Sequence, residues 1–97
     1  MYDIIDSINL LEYEGFQIEK IKEIDAREII QISLEKRSVF PMHASPTDAN
    51  LIMLEGAVSF FINNEEFRLF KHQLFTFPKD EEHWVEANKS SKFLIIR

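Results

Sequence analysis

Apolar residues in this chain fall in short runs separated by polar or turn-forming residues. The runs occupy 50–55, 57–62, 66–70, 74–77, 83–88 and 92–97. Each is short for a helix and ordinary for a strand. Phe67 and Leu69 alternate with Glu66 and Arg68, the spacing of a strand with one wet face. Val58, Phe60 and Ile62 mark an inward face in the same way. Asn63-Asn64 fits a tight hairpin turn, because asparagine tolerates positive φ better than most residues. Six short strands at such close intervals predict an antiparallel sandwich or barrel.

The first third of the chain reads less clearly. Residues 4–11 have mixed character, which fits a short turn of helix or an edge strand. Between Gly15 and Lys36, the Glu, Lys, Gln and Ala content favours helix, and Ile18, Ile21 and Ile24 recur every three residues. Ile30, Ile32 and Leu34 instead alternate with Gln31, Ser33 and Glu35, which is strand spacing. Local pattern leaves both readings open there.

Composition narrows the class. Ninety-seven residues without a linker or repeat make a single domain, 1–97, near the small end for one core. A 45% hydrophobic content with nine Phe is too apolar for disorder. With only two Gly, the turns must rest on Asn, Asp, Pro and Ser. A net charge of −6 and scattered basic residues argue against a nucleic-acid partner, which needs clustered Lys and Arg. The absence of cysteine removes disulfides and thiol chemistry and fits a cytoplasmic location. No basic region with a following apolar run suggests a signal peptide, and no stretch has membrane-spanning length, so no membrane partner is expected.

Two fragments carry the candidate chemistry. The first is His43-Ala44-Ser45-Pro46-Thr47-Asp48-Ala49, followed by Leu54-Glu55-Gly56. The second is Phe77-Pro78-Lys79-Asp80-Glu81-Glu82-His83. Their order and spacing resemble the two motifs of the cupin superfamily, small jelly-roll barrels that often hold a metal. In that pattern the first motif has two histidines one residue apart, a glutamate four residues on, and then a glycine. Here those places hold His43, Ser45, Ala49 and Gly56. The second motif's two glycines, proline and histidine correspond to His72, Asp80, Pro78 and His83. The resemblance covers about 34–97. It implies an all-β fold, a single jelly-roll antiparallel barrel or sandwich, with 16–24 and 27–36 as strands joined near Asp25-Ala26.

The resemblance also implies a pocket inside the barrel. Strand alternation puts Pro41, His43 and Ser45 on one face, and Ala49, Leu51 and Met53 on one face of the next strand. Phe75 and Phe77 share a face as well. The expected ligand pocket is therefore His43, Ser45, Ala49, Met53, Phe75, Phe77 and His83. A transition metal normally takes three or four protein ligands. Two of the family's ligand places hold Ser45 and Ala49, so no metal or other cofactor is expected. Were a divalent transition metal bound, His43, His83 and Asp48 would be its candidates. Asp80-Glu81-Glu82 reads as a solvated turn, and Trp84 as facing away from the pocket.

Three functions remain in view. The foremost is a barrel binding a small molecule, with His43, Ser45 and His83 orienting it. A metal-dependent isomerase or oxygenase is the second, and an interaction or scaffold domain the third. Ser45 lies two residues from His43, but no oxyanion-hole motif supports nucleophilic catalysis. The runs at 51–54 and 93–96 are apolar on both faces. Ile52, Leu54, Phe61 and one face of 93–96 would thus point outward, predicting a homodimer unless residues 1–24 cover them.

Overall fold

A computed structural model of the chain describes residues 2–97. After a single helical turn, α1 (Ser7–Leu10), nine strands follow: β1 (Phe16–Ile24), β2 (Arg27–Leu34), β3 (Val39–His43), β4 (Ala49–Glu55), β5 (Ala57–Ile62), β6 (Glu65–Phe70), β7 (Leu74–Phe77), β8 (His83–Ala87) and β9 (Ser91–Ile96). They form two antiparallel sheets, ordered β1-β2-β9-β4-β7 and β3-β8-β5-β6. The segment where helix and strand competed is the β1–β2 hairpin. Long-range pairing decided it, because β2 lies between β1 and β9 and fills the core with Ile30, Ile32 and Leu34.

Alternation governs what is inside. Leu51 and Met53 of β4, Val58, Phe60 and Ile62 of β5, Val85 of β8, and Phe93 and Ile95 of β9 meet between the sheets. Phe60 and Phe93 are fully buried. Turn chemistry replaces the missing glycines. Asp25-Ala26 and Asn63-Asn64 both take left-handed conformations, with φ of 49° and 67° and of 51° and 60°. Such two-residue turns match the twist of the strands they join. Gly56, at φ 84°, is a different case. A Cβ there would lie 2.3 Å from Ser91 Oγ and 2.5 Å from the Ser90 carbonyl oxygen. Only glycine lets β4 pass into β5 under that loop.

The N-terminal segment lies against the outer face of the larger sheet. The Lys92 ammonium donates to the Ile8 carbonyl at 3.0 Å and sits over the Tyr13 ring. Ser33 Oγ donates to the Glu12 carbonyl, and the Tyr13 hydroxyl to Glu55. Ile5, Asp6, Ile8 and Asn9 also line a recess together with Leu54. Part of the outward apolar surface is thus covered within the chain. Phe61, on the other sheet, is half-buried against Trp84, their rings stacked at 4.9 Å. Among the described residues no helix is long and apolar enough to cross a membrane.

Candidate functional site

A cavity of about 280 Å³ opens between the two sheets. Ile18 of β1, Ile30 and Ile32 of β2, and Ile95 of β9 line one side. Phe40 and His43 of β3 and His83 of β8 line the other. Ala44, Ser45, Pro46, Phe77 and Arg97 complete the wall.

The two histidines are a cross-strand pair. His43, last in β3, stands directly opposite His83, first in β8. Their Nε2 atoms are 3.0 Å apart. Each Nδ1 meets the carbonyl two residues earlier, His43 on Pro41 at 2.7 Å and His83 on Glu81 at 2.9 Å. Aromatic rings fix the imidazoles further. Phe40 stacks on His43 with centroids 4.1 Å apart, and Phe60 on His83 at 5.0 Å. Phe16 stacks on Phe40 in turn.

This geometry constrains the ring protons. A carbonyl only accepts, so each Nδ1 contact asks for an N–H there. Two such neutral rings would turn bare Nε2 lone pairs on each other. All three contacts are satisfied together only when the pair holds three ring protons. Burial opposes added charge: it is the main cause that holds His83 below the ordinary 6.5. The Glu81 carbonyl works against that lowering, while His43 and Arg97 add to it. Burial thus favours the uncharged form of the His83 ring.

Ser45 lines the cavity, yet its hydroxyl is already committed. It donates to the Thr47 carbonyl at 2.6 Å and faces the Thr47 N–H, closing a local turn. Ala49 and Met53 are fully buried core residues outside the cavity wall. Phe75 is also outside it, packed on Phe60, Phe67 and Phe77. Of the seven expected pocket residues, the structure brings His43, Ser45, Phe77 and His83 to the cavity. The remaining three support Phe77 and the core because the cavity lies toward the β1–β2 side. The face-sharing of Pro41 and His43 also needs correction. A register irregularity between Phe40 and His43 turns Phe40 inward, while Pro41 is exposed.

The other wall residues, Phe40 and Arg97 chief among them, lie outside the expected pocket set. Phe40 was hidden by that bulge. Arg97 continues the inward series Phe93, Ile95 beyond the end of β9, and that alternation was its available signal. The Arg97 Nε donates to Glu28 at 3.1 Å. Asp48 accepts from the Lys79 N–H, which caps a turn, and is exposed. His72 lies in an exposed turn at φ 71°. Asp80, Glu81 and Glu82 are solvated, as expected. Among the described residues, no three His, Cys, Asp or Glu side chains gather as a metal set. Two imidazoles, an engaged hydroxyl and an alanine do not fit a resident metal.

No family model matches the sequence, and no curated protein matches it. Solved structures do match the fold. A cupin superfamily protein from Desulfitobacterium hafniense superposes with a TM-score of 0.85 at 14% identity, over 99% of this chain and 90% of that one. An RmlC-like cupin protein from Desulfovibrio desulfuricans gives 0.85 at 17% identity, over 99% and 95%. A cupin-2 domain protein from Shewanella frigidimarina gives 0.79 at 22% identity, over 95% and 88%. At these identities the likeness shows the fold alone: the chain has the small jelly-roll barrel fold of these cupin structures.

Proposed function

We propose that this chain is a binding module that holds a small molecule in its barrel. The observation that carries the reading is the cavity between the sheets, whose largely apolar wall includes a few polar side chains, the His43–His83 pair and Arg97. Ligand sites combine an apolar lining with a few convergent polar groups in this way. Ser45 contributes shape rather than a free hydroxyl. At interior packing density the cavity has room for roughly ten to fifteen non-hydrogen atoms.

Methyl-labelled protein titrated with small alcohols, amides and carboxylates tests this. Bound compounds should shift the methyls of Ile30, Ile32 and Ile95 and the ring signals of His43. Ile18 is half exposed at the cavity wall, so Ile18→Trp should block entry without unfolding the core. Cavity shifts that persist unchanged in Ile18→Trp, or their absence with every compound class, would count against the module.

A cytoplasmic location belongs to the same proposal, supported by a chain without cysteine. So does a homodimer. Ile24 and Ile96 still border a shallow apolar recess on the surface, outside the cover of the N-terminal segment. Light scattering after gel filtration tests it, and a mass near 11.5 kDa at every concentration would exclude it.

A further inference from the structure

Resting on the binding-module reading, we infer that the ligand is a small monocarboxylate whose head group lies against Arg97 and whose apolar body lies against the isoleucine wall. The sign of the cavity's ionisable groups carries this. The chain has 17 acidic against 11 basic residues, so a random wall would be dominated by carboxylates. The cavity wall contains none. Its three ionisable residues, His43, His83 and Arg97, are all basic. Neither imidazole can become an anion, so nothing in the wall repels a negative head group.

Arg97 also has donors to spare. Only its Nε is engaged, by Glu28, and neither terminal nitrogen has a hydrogen-bond partner among the described residues. Glu28 is not its private counterion. The Lys20 ammonium approaches Glu28 at 3.5 Å, so one carboxylate is shared by two cations. An arginine held through Nε presents its outer fork, the arrangement suited to a carboxylate. Most of the remaining wall is isoleucine, phenylalanine, alanine and proline, and the ring nitrogens of the histidine pair are already engaged. This selects a single head group on an apolar tail, and disfavours sugars and dianions.

Hexanoate, hexanamide and hexanol share one tail and differ in the head, so they are the probes. At neutral pH, hexanoate should bind roughly ten- to a hundredfold more tightly than hexanamide, as expected for a hydrogen bond to a charged group. Arg97→Gln should abolish that preference while leaving hexanol binding unchanged, and Arg97→Lys should keep part of it. Glu28→Gln removes the competing carboxylate and should tighten hexanoate alone. If the Arg97–Glu28 pair only held the fold, both variants would weaken all three probes alike, and the inference fails. It fails also if hexanamide matches hexanoate in the parent chain, a result that leaves the binding module standing. Absence of cavity shifts with all three probes at millimolar concentration overturns both. Should Arg97→Gln not fold, Glu28→Gln decides: hexanoate binding that falls rather than rises overturns the inference.

Discussion

The Nε2 atoms of His43 and His83 meet at 3.0 Å, and each ring is held from behind by the carbonyl two residues before it. The pairing of β3 with β8 places these residues opposite each other. Local chain geometry then fixes each ring, and Phe40 and Phe60 cover their faces. The pair is thus a rigid part of the cavity wall, and a ligand packing against it would find a surface that is already ordered.

The first prediction concerns acid stability. Burial holds His83 below its ordinary 6.5, so the folded chain takes up its proton less readily than the unfolded one. The groups facing it, His43 and Arg97, are basic and push the same way. Its contribution is therefore present above pH 6.5 and lost as pH falls below that value. The slope should not exceed about 1.4 kcal/mol per pH unit for one proton. Urea midpoints from pH 8 downward measure it. His83→Gln should flatten the slope, and an equally steep loss in that variant would refute the assignment.

At the alkaline end, Tyr13 should control the N-terminal segment. Burial and its hydrogen bond to Glu55 raise the phenol from 10.0 to about 12. A raised folded value means the contribution is complete below pH 10 and disappears as pH passes about 12. Hydrogen exchange of the amides in residues 7–13 should accelerate over that window. Tyr13→Phe should remove the pH step, and a step of unchanged size in that variant would discount the contact.

Gly56→Ala should be among the most damaging small substitutions in the chain. It adds a methyl group 2.3 Å from Ser91 Oγ and puts alanine at φ 84°. Left-handed strain and overpacking together should cost about 2–5 kcal/mol. Denaturant unfolding reads this directly. A loss below about 1 kcal/mol would mean that the 88–91 loop yields easily. The opposite sign is expected at Ala26, where φ is 67°: Ala26→Gly should stabilise the β1–β2 turn by up to about 1 kcal/mol.

Metal content is the last prediction. Protein prepared without a nickel column and dialysed against a weak chelator should carry far less than one transition metal per chain. The reason is the donor set, since His43 and His83 lack a third protein ligand. Elemental analysis giving near-stoichiometric metal, lost in both His43→Ala and His83→Ala, would return the chain to the metal-dependent class.

What the sequence determined by itself was the antiparallel framework. Period-two alternation at Phe67 and Leu69, or at Val58, Phe60 and Ile62, needs no partner to be read, because each side chain's face follows from strand geometry. Asn63-Asn64 specified its turn equally locally. That His43 and His83 share the interior was implied only by the resemblance to the cupin motifs, and the pairing of β3 with β8 set them opposite each other. Tertiary structure alone decided three other things. It made strands of 16–24 and 27–34, whose own propensity is divided, through pairing with β9. It turned Phe40 inward with an irregularity that alternation does not anticipate. And it carried Arg97 to the cavity while leaving Ala49, Met53 and Phe75 in the packed core. Facing direction is a property of one strand; which part of the interior stays open depends on how two sheets meet.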